Sequence, residues 1–225
     1  MKKAKRLLRS LSPKYVAKRL KGNRVYHDAA RRYDLVYFGT VSSRDDDHEL
    51  VRGLTVSADH QDQHYCVGTV DGYDVILLER TDLLTFPGKP ATPYRWIVLQ
   101  VDLRNVHLPH VFIDTKQHAA AFYDTLLAKY SRMVTADPNL FADHDPKFMA
   151  AFNVYTTLDE QLAMVQLLSH DITATLGHHF AHLDFELFDD RLIVYAAQRT
   201  ASKQLIDYIF SAGVWLAKEI ESHPH

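Results

Sequence analysis

The apolar positions follow two periods, and the order in which the periods alternate predicts the fold class. In residues 73–80, YDVILLER, Tyr73, Val75 and Leu77 alternate with Ile76 and Leu78. Both faces of that strand are apolar, the pattern of a strand covered on both sides. The run before it, HYCVGTV, joins it through Asp71-Gly72, a pair suited to a type I′ hairpin turn because both central residues need positive φ. Residues 95–103, RWIVLQVDL, form a continuous β-rich run and predict a central strand. Shorter strands are predicted at 35–38, 50–57, 110–114 and 152–156. A second hairpin pairs 182–188 with 192–197 across Asp189-Asp190. The polar stretches 42–49, 58–63, 86–93 and 105–109 are predicted loops, and 136–146, with two prolines, a connector holding one helical turn.

The helical period appears in four places. Leu7, Leu8 and Leu11 share a face among basic residues, and Ser12-Pro13 then opens a helix carrying Tyr15, Val16 and Leu20 that Gly22-Asn23 can end. Ala119, Phe122, Tyr123, Leu126, Leu127 and Tyr130 predict a core-facing helix over 115–133. Thr157 and Glu160 have capping-box spacing, followed by the stripe Leu162, Val165, Leu168, Ile172 and Leu176, with Gly177 as the stop. A last amphipathic helix, 201–221, buries Leu205, Ile209, Leu216 and Ile220. The class is therefore α+β: a mostly antiparallel meander, then strand–helix units, with a basic amphipathic helix at the N-terminus and an amphipathic helix at the C-terminus. The expected organisation is a helical arm, 1–32, and a single α+β domain, 33–225.

Composition changes this picture little. With 225 residues, 47% apolar and 24% charged, the chain has ordinary globular material. Cys66 is its one cysteine, which excludes an intrachain disulfide. No apolar run reaches the ~18–20 residues of a membrane span, and no secretory signal is legible, so a cytoplasmic protein is expected, seated peripherally at the inner face of the membrane if the arm binds there.

Charge changes the picture more. Residues 1–32 hold twelve Lys/Arg against one acid, Asp28, leaving fourteen basic and twenty-seven acidic residues in the remainder, a balance of −13. Such separation gives the two parts opposite long-range fields. Lys2, Lys3, Lys5, Arg6, Arg9, Lys14, Lys18, Arg19 and Lys21 are the candidate contacts to an anionic membrane surface or an acidic protein partner. Packing of the same helix on its own domain, with a solvated basic face, stands beside that reading. So does nucleic-acid binding, although no aromatic stacking platform accompanies the basic run.

Fourteen histidines raise the question of metal. In GHHFAHLD, His178 and His182 would share a helical face and His182 and Asp184 a strand face, so His178, His179, His182 and Asp184 are candidate zinc ligands. His60, His64 and Cys66 form a second grouping. Neither has H-E-x-x-H spacing, and His178 and His179 also suit a helix C-terminus for electrostatic reasons. The consecutive Asp45, Asp46 and Asp47 lack the spacing of a calcium loop and read as a solvated loop. Glu79, Arg80 and Asp82, with Trp96 nearby, read as a strand-end ion pair. No nucleophile elbow or phosphate loop is present, Cys66 reads as an inert buried thiol, and no catalytic residue is nominated. The chain reads as a non-enzymatic binding or scaffold domain, the alternatives being a zinc-type enzyme built on the histidine cluster and a nucleic-acid-binding protein.

Residues 67–197 also carry a pattern of segments: GTVDG and YDVILLE, then RWIVLQVDL and HVFID, then FNVYTTLDEQLAMVQLL and FELFDDRLIVYAA. In this order they resemble a bacterial domain-of-unknown-function family, the 3137 group. The resemblance implies the domain type and brings no activity or site residues. Members of that family often carry hydrophobic N-terminal segments, where this chain has a basic amphipathic helix instead.

Overall fold

In a computed structural model, residues 24–40, 60–84, 92–104, 106–118 and 132–222 are described. Helix α1 (residues 24–32) leads into β1 (Val36–Gly39), β2 (His60–Val70), β3 (Tyr73–Leu84), β4 (Thr92–Asp102), β5 (Leu108–Thr115) and β6 (Met133–Thr135). Short helix α2 (Pro146–Ala151) runs into β7 (Phe152–Thr157). After it come α3 (Gln161–Leu167), α4 (His170–His179), β8 (Asp184–Asp189), β9 (Arg191–Ala197) and α5 (Lys203–Ser222). The expected elements at 1–22, 42–49, 50–57 and 119–131 lie outside the described residues.

The described strands form one nine-stranded sheet of order β1-β2-β3-β4-β9-β8-β5-β7-β6, every described pairing antiparallel. The expected hairpin forms: Val70 pairs with Tyr73, and Asp71 and Gly72 both take positive φ, 51° and 87°. Residues 95–103 lie in the central strand β4, between β3 and β9.

The covered-strand reading holds in detail. Tyr73, Val75 and Leu77 enter the main core with Leu99, Val194 and α5, whereas Ile76 and Leu78 join Trp96, Phe112 and Tyr195 on the opposite face. The main core lies between the first face and the helices, and α5 buries Leu205, Ile209, Leu216 and Ile220 against it.

Several boundaries differ from the sequence expectation. Residues 60–63, expected in a loop, belong to β2 and pair with Glu79 through Asp82. Their polarity is explained by Asp62, whose carboxylate is buried against Arg80. Thr92 and Pro93 belong to β4, and Leu108 and Pro109 to β5, whose own end is followed by a turn at 116–118 rather than a helix.

The helix expected at 157–177 is three pieces. Residues 158–160 form a 3₁₀ turn, α3 follows, and the chain breaks at Leu168, where buried Leu168 ends α3 and Ser169 Oγ caps α4 by accepting from Ile172 N–H at 3.3 Å. Leu162 lies outside the buried face, 72% exposed, and Met164 and Leu167 are the buried residues of α3. Thr157 Oγ1 donates to Glu160 Oε2 at 2.6 Å instead of capping backbone. Gly177 lies inside α4 because Phe148 packs there: a Cβ would fall 2.6 Å from the Phe148 backbone nitrogen.

Candidate functional site

Two regions carry functional groups: the end of the basic segment on α1, and the polar face of the sheet. On α1, Tyr26, Ala29 and Ala30 are buried in the main core. The Tyr26 ring stacks on His64 at 4.6 Å, and its hydroxyl donates to Glu79 Oε2 at 3.4 Å. His64 takes φ +63° in the β2 bulge, which lets it also bond Tyr37 Oη through Nδ1 at 2.9 Å. At the other end of α1, Arg32 Nη2 and Tyr33 Oη donate to Asp207 of α5 at 2.7 and 3.0 Å. Burial first, then Asp207, pushes the Tyr33 phenol up to about 12.

The charge boundary at residue 32 does not coincide with a packing boundary, because Tyr26, Ala29 and Ala30 lie in the main core. Their solvent side remains polar: Arg24, His27, Asp28 and Arg31, with Leu35 and Tyr37, line an open groove of about 650 Å³. Arg24 and Arg31 both pair with Asp28. On β1, the first in the order of the described strands, Val36 and Phe38 are 59% and 60% exposed.

The second region follows from alternation along the strands. Asp62, Arg80, Asp82, Tyr94, Trp96, Phe112, Asp114, Tyr155, Asp184, Glu186 and Tyr195 are all buried, and those that are apolar belong to the smaller core cluster. Arg80 Nε and Nη2 donate to the two oxygens of Asp62 at 2.9 and 2.8 Å, a bidentate pair with both side chains fully buried. The ion pair expected at Arg80 is present, but its acid is Asp62, third residue of β2 and opposite Arg80 in the β2–β3 ladder, rather than a neighbour within residues 79–82. Trp96 Nε1 donates to Asp82 Oδ2 at 3.0 Å. Farther along, Tyr195 Oη donates to Glu186 Oε2 at 2.5 Å, and His110 Nε2 meets Glu186 Oε1 at 2.8 Å.

The densest cluster lies where β5 meets β8. His118 Nε2 stands 3.2 Å from Asp114 Oδ1 and 3.1 Å from Asp184 Oδ2, and its Nδ1 is 2.5 Å from Tyr94 Oη. Asp184 Oδ1 accepts the Thr115 backbone N–H at 2.8 Å. Burial works to lower the His118 pKa, but the hydrogen bond and charge of Asp184 and the charge of Asp114 outweigh it, and the net direction is upward.

The structure distributes the expected zinc ligands among different partners. His178 Nε2 binds Asp145 Oδ2 at 3.0 Å, and Asp145 caps α2 through the Lys147 N–H. Its role there is to tie α2 to α4. His179 is exposed at the end of α4, and its carbonyl accepts from Tyr208 Oη at 2.6 Å. His182 is exposed in the following turn with Nδ1 2.9 Å from Gln117 Nε2. Among the described residues, Asp184 is the one of the four that belongs to a convergent cluster, with Asp114 and His118.

Nor do His60, His64 and Cys66 form a convergent cluster. His60 faces Asp62 at 3.6 Å, His64 faces Tyr26 and Tyr37, and Cys66 is buried, its thiol pushed up to about 12 by that burial. A second convergent group, Asp143, His144 and His170, lies near α4, with His170 Nε2 3.2 Å from Asp143 and the two imidazoles stacked at 4.2 Å.

Sequence reasoning missed Asp114 and His118. Their signal was present in HVFIDTKQH: Asp114 lies on the same strand face as Phe112, in a strand buried on both sides, where an acid needs a partner.

No protein-family model matches the chain, and no curated protein sequence does. Among solved structures, the fold is similar to that of the mycobacterial trehalose monomycolate transport factor A, TtfA, with a TM-score of 0.58. The match covers 89% of this chain and 93% of that one at 9% identity, a likeness of fold.

Proposed function

We propose that this protein is a non-enzymatic α+β binding domain that docks reversibly on an anionic membrane surface through its basic N-terminal segment. The observation that carries this reading is the segregation of charge, twelve Lys/Arg against one acid in residues 1–32. Packing of residues 24–32 supports it, because Tyr26, Ala29 and Ala30 fix the root of that segment in the domain core. Arg24 and Arg31 continue the basic character onto the surface of the domain. The fold is compatible with work at a lipid surface, since TtfA is described as a transport factor for trehalose monomycolate. Among the described residues no helix is long and apolar enough to cross a membrane. The proposed attachment is by surface charge and partial insertion, with the domain on the cytoplasmic side.

Each basic residue near an anionic surface contributes roughly 1 kcal/mol, screened within a Debye length. Replacing Lys2, Lys3, Lys5, Arg6, Arg9, Lys14, Lys18, Arg19 and Lys21 by Gln leaves residues 24–32 intact. Co-sedimentation with vesicles of phosphatidylserine and phosphatidylcholine is expected to fall at least tenfold for that variant, and to fall for the parent chain as salt rises. Equal, salt-insensitive partitioning of the two proteins would overturn the reading. Binding to an acidic protein or to nucleic acid without vesicle binding would replace it.

A further inference from the structure

We infer that Asp114, His118 and Asp184 form a binding site for one divalent transition cation of the zinc type. The register comes first. Ile113 pairs with Phe185, so the next step along the antiparallel β5–β8 ladder brings Asp114 and Asp184 side by side on one face. Two carboxylates directly opposite one another repel, and both are almost fully buried, with side chains 0% and 2% exposed. Burial removes the water that would screen them, so this arrangement calls for positive charge between them. The group placed there is His118 Nε2, from the turn after β5, 5% exposed.

A divalent cation held by the two carboxylates and a neutral imidazole balances the charge of the two acids. The spacing suits such an ion. Ligand atoms about 2.1 Å from a common ion lie about 3.0 Å apart at a right angle and about 3.4 Å apart at the tetrahedral angle. The two His118–carboxylate separations, 3.1 and 3.2 Å, fall between these values.

The outer atoms of the ligands are held as metal ligands generally are. With an ion on Nε2, Nδ1 carries the hydrogen and donates to Tyr94 Oη, 2.5 Å away, fixing tautomer and ring plane. Asp184 uses its other oxygen for the Thr115 N–H. One imidazole and two carboxylates suit Zn²⁺ and, among harder ions, Mn²⁺. Three protein ligands leave a fourth position for water, and the exposed Gln117–His182 pair marks the solvent side of the turn.

The test is calorimetric titration of the full-length, chelator-stripped protein with Zn²⁺, and separately with Mn²⁺, at one pH. One Zn²⁺ per chain is expected. H118Q and D184N should weaken it at least a hundredfold, with folding checked by circular dichroism. Y94F keeps the ring and removes only the hydroxyl that orients His118, so it should fold and bind about tenfold more weakly. H170Q, in the separate surface cluster, should bind like the parent. No Zn²⁺ binding by the parent, unchanged affinity in Y94F, or loss in H170Q would each overturn the assignment.

Discussion

The two faces of the sheet solve the same problem by different chemistry. Both are buried. The face under α5 is apolar at its centre: Leu77, Leu99, Val101 and Val194 share a core with Ile209, Leu216 and Ile220, and polar bonds such as Tyr33–Asp207 and Tyr73–Glu221 lie toward its margins. The opposite face mixes Trp96, Phe112, Tyr155 and Tyr195 with Arg80, Asp62, Asp82, Glu186, Asp114 and Asp184. Apolar burial is forgiving, since any well-shaped hydrophobic side chain contributes. Ionic burial is unforgiving, because each group depends on the geometry of its partner. The apolar face supplies stability that sequence drift can preserve, and the polar face supplies arrangements that tolerate little change.

Breaking the ionic pair is the largest way to test that contrast. Arg80→Met removes the guanidinium from buried Asp62 and is expected to cost about 3–5 kcal/mol in urea unfolding, whereas the double variant D62L/R80M should recover most of the loss. Equal stability of single and double variants would remove the distinction between the faces. On the helical side the telling change is smaller. Gly177→Ala normally favours a helix by about 1 kcal/mol, but here the new Cβ meets the Phe148 backbone at 2.6 Å. A net loss of about 1–3 kcal/mol is expected from that overpacking, and a rise in Tm would show that α2 yields.

The smallest effect is in pH, measured with chelator present. Asp114 from β5, Asp184 from β8 and Tyr94 from β4 face His118, whose folded-state pKa lies above its ordinary 6.5. The folded protein therefore holds that proton more tightly than the unfolded chain. The His118 contribution is complete below about pH 6.5 and is lost as pH rises through the folded-state value. Subtracting the stability profile of H118Q from that of the parent should give a difference that declines toward alkaline pH. A difference that grows instead would reverse the sign of the site.

Legibility in the sequence followed the same divide. Apolar alternation in residues 73–78 located both faces of β3, and Asp71-Gly72 its turn, because those signals act between near neighbours. The stripe of α5 was equally plain. Polar residues in strands were misread: 60–63 looked like a loop because Asp62 has its partner eighteen residues away. The break at Leu168 was hidden because a stripe continues across it when both helices pack on one core. His178 and His179 drew attention by adjacency, while Asp114 and Asp184, seventy positions apart in sequence, became neighbours only through the β5–β8 ladder. Long-range pairing of charges has no local signature.

The β4–β9 pairing also sets a timetable. Strands β1 to β4 can pair in the order in which they are made, but β4 then waits for β9, with Trp96 matched to Ala197 and Asp102 to Arg191. At roughly 5–20 residues per second, the interval between synthesis of the two strands is on the order of ten seconds. Helix α5 follows and packs over both strands, with Gly213 close to Leu99, Val101 and Val194. A nascent chain thus carries an open β4 edge until β9 has emerged, and interruption of synthesis anywhere before β9 leaves that edge open to another chain.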